Sequence, residues 1–370
     1  MTAIFNTEVL VAGGGPAGLA AAIAARQCGL EVTLVDCARP PIDKACGEGI
    51  MPDGLAALAK IGVTLSAENA CPFQGIRFIN ENCRIEADFV HGYGYGIRRI
   101  RLHQLLIDRA AELGVEMHWG VRVSGATSNG VLIDGREAAC KWLVCADGQN
   151  SRLRSWLGMD TDSRVRQRFG FRRHFRVPPW ADYVEIHWST CGQIYVTPVS
   201  DQEVCVALIT RDPHLRFSDS LKFFPEIEER LRGAASTTDR GAVTPTRNLR
   251  SVCRERSALI GEASGSVDAI TGDGLSMSFQ QAAALAEAMR DGDLRSYQKA
   301  HRRIAGLPRV MAGLMLTMDQ NHRFRRRMFL AFAAEPNLFS KLLAIHTGAV
   351  SPLLVGPGHA VSLGWHLLTA

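Results

Sequence analysis

A chain of 370 residues with 46% hydrophobic and 21% charged residues can bury a large core, and its size suits two intimately joined domains. A formal charge of +5 is too mild to point to a nucleic-acid partner. The ten cysteines form no CxxC pair and no metal-ligand spacing, so they read as reduced thiols, and the absence of a signal-like start adds to the expectation of a cytoplasmic protein.

In chain order, residues 8–12 form a short apolar run suited to a buried parallel strand. Gly13-Gly14-Gly15-Pro16-Ala17-Gly18 follows, and each glycine has a separate task. Gly13 permits a tight turn, Gly15 lets the backbone approach a pyrophosphate, and Gly18 lets the next helix pack on the strand. The Ala-rich stretch 16–28 opens that helix, with its N-terminal N–H groups and dipole facing the phosphates. Residues 31–35 form the second strand, and Asp36 ends it eighteen residues after Gly18. A carboxylate there accepts hydrogen bonds from adenosine ribose hydroxyls and disfavours a 2′-phosphate. Two later segments serve the same ligand. Cys145-Ala146-Asp147-Gly148-Gln149-Asn150-Ser151-Arg152-Leu153-Arg154 follows the strand at 142–145, and Leu259-Ile260-Gly261-Glu262-Ala263-Ser264-Gly265 comes late in the chain. Three such segments in this order point to FAD, because each holds a different part of one long molecule.

On these motifs the chain resembles the FAD-dependent oxidoreductases that share the fold of para-hydroxybenzoate hydroxylase, over about residues 5–290. It leans toward their geranylgeranyl-reductase-like branch. The resemblance implies that Asp147 and Gly148 bind flavin and that Gly261 and Glu262 stand at the ribityl chain, with Glu replacing the family aspartate. It makes Arg99 the arginine that meets the cofactor. Asp43-Lys44-Ala45-Cys46-Gly47-Glu48-Gly49 resembles the Cys-Gly loop of the reductase-like branch. Val267-Asp268-Ala269-Ile270-Thr271-Gly272-Asp273-Gly274-Leu275 resembles its Asp-Pro-Leu-Thr-Gly-x-Gly segment, with Ala269 for proline, and brings Gly272 and Gly274 close to the flavin ring. The helix starting near Leu275 then stabilises negative charge on reduced flavin. FAD is expected to be held non-covalently.

The expected fold is α/β (α+β overall), a Rossmann-type FAD-binding domain interleaved with an antiparallel β-sheet substrate domain, plus C-terminal helices. Residues 1–74, 100–154 and 254–292 are assigned to the first, 75–99 and 155–253 to the second, and 293–370 to the helical tail. Strand patterns at 193–198 and 203–210 belong to the substrate domain. So does Tyr183-Val184-Glu185-Ile186-His187-Trp188-Ser189, where Val184, Ile186 and Trp188 face one way and Glu185 and His187 the other. The candidate catalytic residues are Cys46 and Glu48 on the Cys-Gly loop and His187 and Tyr195 on the sheet; no metal-ligand set is apparent. Between residues 294 and 341 ten Lys/Arg stand against two acids, interleaved with Leu307, Val310, Met311, Leu314, Met315 and Met318 at helical spacing. That pattern suits either a helical cap with a solvated basic face or a helix lying on a membrane surface. The apolar stretch 350–370 is broken by Pro and Gly and makes a poor membrane span.

Two reactions are open. In one, NAD(P)H reduces FAD, a C4a-hydroperoxide forms with oxygen, and an aromatic ring or alkene takes the distal oxygen; this monooxygenase reading is favoured as the commoner chemistry of the fold. In the other, favoured by the Cys-Gly loop, hydride saturates an isoprenoid-type double bond. A non-catalytic flavin-binding protein is disfavoured by the elaborate substrate domain. NAD(P)H would bind only transiently across the domain cleft, or electrons would come from a partner. Val184, Ile186, Trp188, Val196, Val204, Val206 and Leu208 point to a lipophilic small-molecule substrate, with Arg172, Arg173 and Arg176 the one cluster suited to a carboxylate.

Overall fold

The computed structural model describes residues 6–81, 83–160 and 166–351; most of the apolar terminal stretch, 352–370, lies outside them. Strand Asn6–Ala12 is fully buried from Val9 onward, as a central parallel strand must be. It pairs in parallel with Val32–Asp36 on one side and Arg136–Cys145 on the other, and Glu116–Trp119 and Ser257–Leu259 extend the parallel array. Helix α1 (Pro16–Gln27) has Pro at its first turn, where the missing N–H costs nothing. Ala20, Ala21, Ala22, Ala24 and Ala25 are buried, and their small size lets α1 lie close against both the sheet and a later helix. α2 (Pro52–Lys60), α3 (Arg99–Glu112) and the short α4 (Arg152–Trp156) complete this half.

A second sheet holds seven strands in the order Arg240–Thr246, Arg166–Phe175, Glu203–Thr210, Gly192–Ser200, Tyr183–Trp188, Gly75–Asn80 and Cys83–Asp88. Its pairs are antiparallel except one: Tyr183–Trp188 runs parallel to Gly75–Asn80. Those two strands are joined through the flavin half, so no hairpin dictates their direction. The register Glu185↔Val196 divides the sheet into two faces. On the outer face Val196, Val204, Val206 and Leu208 pack under α5 (Phe217–Ser220) and α6 (Pro225–Leu231). These four therefore do not share a surface with Val184, Ile186 and Trp188, which face inward.

After Ser257–Leu259 the chain enters α7 (Gly274–Arg290), which packs on α1 and α2; a Cβ on Gly54 of α2 would meet Ser276 Oγ at 2.2 Å. Then follow α8 (Leu294–Ile304), α9 (Gly306–Gln320), α10 (His322–Ala334) and α11 (Pro336–His346). The last three cover the inner face of the seven-stranded sheet. Met315, Met318, Met328, Phe329, Phe332, Phe339 and Leu343 share one buried cluster with Phe78, Ile186 and Trp188. The amphipathic stripe of the tail is thus spent on the sheet. Its exposed side keeps Arg323, Arg326, Val310 and Leu330. Among the described residues no single helix is long and apolar enough to cross a membrane.

Candidate flavin and substrate site

The glycine turn is fixed by backbone proximity. A Cβ on Gly13 would stand 2.3 Å from Ala146 O, and one on Gly18 would stand 1.8 Å from Gly13 O. Gly13 also has φ 121°, a conformation side chains rarely adopt. Gly14 lies against the Trp119 ring, while Gly15 opens onto free space at the N-terminus of α1, where no side chain caps the helix. An uncapped helix N-terminus beside an unobstructed glycine suits the approach of a pyrophosphate. Asp36 closes the turn from the next strand: its Oδ2 accepts from Gly14 N at 2.6 Å and its Oδ1 from Ala38 N at 2.7 Å. His103 of α3, which the sequence reading did not single out, is 1% exposed and donates from Nε2 to Gly14 O at 2.7 Å. Burial pushes its imidazole below the ordinary value, consistent with a neutral ring in that role.

The other two segments converge on this turn. Gly261 (φ 60°) faces Ala17, its N–H donating to Gln281 Oε1. Glu262 is exposed. Asp147 accepts from Ser151 Oγ and Leu153 N, leaving Gly148 at φ 82° beside it. Arg154, 2% exposed, ties this segment to the late one by donating to Ala263 O and Gln149 O. Gly272 (φ 74°) and Gly274 open onto free space at the start of α7, next to half-buried Leu275. Arg99 supplies the positive charge: its backbone N–H donates to Glu48 Oε1, and its buried Nε has no partner in the protein. Three open glycine positions, two uncapped helix N-termini and an orphaned guanidinium nitrogen fit a dinucleotide with a ring system at its far end.

Asp36 carries the most direct prediction. Each of its oxygens keeps a lone pair for a ribose hydroxyl, and charge-assisted bonds of that kind contribute about 1.5–3 kcal/mol. Asp36→Ala is expected to weaken FAD retention roughly ten- to a hundred-fold. An unchanged FAD dissociation constant in equilibrium dialysis would remove Asp36 from the ribose.

The Cys-Gly loop is clamped by the sheet. His174 Nδ1 accepts from Arg172 Nη1 at 3.0 Å, so its Nε2 donates to Glu48 Oε2 at 2.6 Å. Arg172 also reaches Asp43 and the Lys44 carbonyl, and Cys205 donates to Cys46 O. This network holds Glu48 at φ 60°, a strained conformation for a residue with a side chain. Glu48, His174 and Cys205 bring three potential metal ligands within reach of one another, but hydrogen bonds already engage each of them and a guanidinium lies 3.9 Å from the carboxylate. Cys46 Sγ accepts from Glu48 N; burial pushes its thiol up, against the pull of Arg99.

Tyr195 faces inward, yet its hydroxyl is spent on Ile270 O at 2.6 Å, stapling the sheet to the 268–274 loop. His187 faces the outer side, bonded to Glu185 Oε2 at 3.1 Å. Burial alone would raise the Glu185 carboxyl, but His187, Trp180 and Arg77 bring it down to about 2. Alternation along the strand puts His187 out of reach of the inner face, so it serves an ion-pair network rather than a pocket.

Between the inner face, the 269–271 turn and α9–α11 lies a small apolar cavity of about 70 Å³. Met51, Ile76, Phe78 and Ile186 line one side, and Leu314, Met315, Phe332 and Phe339 the other. Its hydrogen-bonding side chains are Thr271 and His346, at the end next to the start of α7. None of Cys46, Glu48, His187 or Tyr195 is among the described lining residues. Of the arginine cluster, Arg172 faces inward but is paired with half-buried Asp43, Arg173 lies outside with Asp239, and Arg176 is exposed. Arg168 also faces inward and is paired with buried Asp319.

Fold and cradle together define a flavin-dependent oxidoreductase. Residues 6–290 match the FAD binding domain family, and the chain belongs to it. It is 26% identical over 324 residues to menaquinone reductase of Mycolicibacterium smegmatis, covering 80% of this chain and 79% of that one. In fold it is similar to a flavoprotein/dehydrogenase from Cytophaga hutchinsonii (TM-score 0.80, 18% identity, 93% of each chain). It is likewise similar to p-nitrophenol 4-monooxygenase from Pseudomonas putida (TM-score 0.75, 17% identity, 93% of this chain and 98% of that one).

Proposed function

We propose that this protein is an FAD-dependent monooxygenase acting on a lipophilic substrate with one polar head, an alkyl- or prenyl-bearing phenol or a polyketide. The observation that carries the reading is the cavity itself: apolar along its walls and polar only where it meets the start of α7. Burial of a chain there contributes about 25 cal/mol per Å², enough to bind without a charged anchor. Asp36, Arg99 and the three glycine segments would hold FAD, which supplies the redox chemistry. The uncapped N-terminus of α7 would favour negative charge on it. NAD(P)H is taken as the electron donor. Exposed Arg323, Arg326 and Leu330 on α10 and exposed Val310 on α9 suit collection of such a substrate from an anionic membrane surface, which co-sedimentation with phosphatidylglycerol vesicles tests.

The test is turnover of 4-octylphenol by the purified FAD-loaded protein with NAD(P)H under isotopically labelled oxygen. Labelled oxygen in the product is expected. A second reading, an ene-reductase of isoprenoid double bonds, is favoured by the similarity to menaquinone reductase over most of both chains. Saturation of a polyprenyl quinone without oxygen, and no label in the phenol, would establish it instead.

A further inference from the structure

The polar end of the cavity contains a cluster that no motif announces. His346, the last residue of α11, has a side chain 10% exposed, and its Nε2 lies 3.2 Å from Oδ1 of Asp273, itself 4% exposed. Asp273 is the residue before the first turn of α7, and its side chain caps nothing. Behind it stands Asp53 of α2, which accepts from Gln280 Nε2 at 3.1 Å. His346 Nδ1, Asp273 Oδ2 and Asp53 Oδ1 are buried without a hydrogen-bond partner. Three orphaned polar atoms, of which the His346 ring belongs to a cavity-lining residue, are an expensive arrangement unless something else meets them.

The electrostatics give the cluster a direction. Burial alone would lower the His346 imidazole, but the Asp273 and Asp53 carboxylates and the nearby Thr271 carbonyl outweigh it and raise the ring above its ordinary value. Burial, then repulsion from Asp273, raises Asp53 to about 6. The position of the imidazole at a helix C-terminus acts in the same sense as the carboxylates. With Nε2 committed to Asp273, Nδ1 is the ring atom left for a further partner.

We propose that His346 accepts the proton of a phenolic hydroxyl bound at this end of the cavity, with Asp273 positioning the ring and balancing its charge. The O–H bond breaks, an N–H bond forms at Nδ1, and the electron pair stays on oxygen as a phenolate, which enriches the ring for attack by an electrophile. This rests on the lipophilic-phenol reading above and assigns the proton-handling group of that site.

The test measures binding, not turnover. The FAD-loaded protein is titrated with 4-octylphenol and with octylbenzene, and the difference absorbance of the bound phenol is recorded. Wild type is expected to prefer the phenol about tenfold and to show the red-shifted phenolate band. His346→Phe is expected to lose both while binding octylbenzene unchanged. His346→Gln, which keeps a hydrogen-bonding amide but cannot take the proton, is expected to keep much of the preference and lose the band. Unchanged FAD retention and melting temperature confirm that the variants fold. A phenolate band surviving in His346→Phe, or an equal loss of affinity for both ligands, overturns the proposal. A protein that behaves as expected here yet incorporates no oxygen overturns the monooxygenase reading and leaves the role of His346 intact.

Discussion

Asp319→Ala is expected to cost about 3–5 kcal/mol of stability, the loss typical of removing one partner from a buried ion pair. Asp319 lies on α9 with its side chain 1% exposed, and it is the joint between the C-terminal helices and the sheet. Its Oδ2 meets Arg168 Nη1 and Arg211 Nε, both at 3.1 Å, and its Oδ1 accepts from Gln193 Nε2 at 2.5 Å. Without it Arg168, whose side chain is 3% exposed, keeps only Gln193 and the more distant Asp268 at 3.7 Å. A guanidinium cannot shed its charge, so the cost of burying it stays while part of the compensation goes. The α9 residues Met311, Leu314, Met315 and Met318 line the cavity, so loosening this joint should also weaken binding of lipophilic ligands. Urea denaturation checks the first effect and octylbenzene binding the second. Asp319→Asn, which keeps the shape and one acceptor, should lose less. A loss below about 1 kcal/mol, the scale of an exposed pair, would show that Arg168 finds water in its place.

The flavin half was legible because its residues are dictated by backbone geometry. Gly13 and Gly18 sit where any side chain would strike a carbonyl oxygen, and Asp36 sits where the turn needs an acceptor. Alternation along Tyr183–Trp188 was legible for a similar reason, since a strand buried on both faces still separates its two sets of side chains. What alternation could not supply was the content of each face. Arg166–Phe175 is not among the strands the sequence pattern marks, and it carries Arg168, Arg172 and His174 on one face. They are buried against Asp319, Asp43 and Glu48, which lie 151, 129 and 126 residues away in the chain. Long-range pairing likewise commits Tyr195 to Ile270 O, whereas His187 is committed to Glu185 on its own strand, and His346 of the helical tail reaches the cavity. Helical spacing marked that tail as amphipathic, but a periodicity does not name the surface it will cover.

Met315→Trp is expected to fold, keep FAD and lose long-chain ligands. Met315 is 8% exposed on α9 and faces the cavity, so a larger side chain can enter existing space instead of displacing packed neighbours. That distinguishes it from overpacking a filled core, which costs about 1–3 kcal/mol. The indole would exclude ligand carbon in proportion to its extra bulk, on the order of three methylenes. At about 0.8 kcal/mol each this comes to about 2.4 kcal/mol, or roughly a fifty-fold weaker affinity. The loss should depend on chain length: 4-octylphenol should suffer it in full, whereas phenol and 4-methylphenol, which occupy only the His346 end, should bind nearly as before. In steady-state turnover the effect should fall on KM for the long substrate, with kcat little changed, because chain burial is made equally in the ground and transition states. A uniform loss across all chain lengths would place the alkyl chain elsewhere and leave this cavity without its occupant. A loss confined to the long chains would fix the direction in which the substrate lies, tail among the methionines of α9 and head against α7.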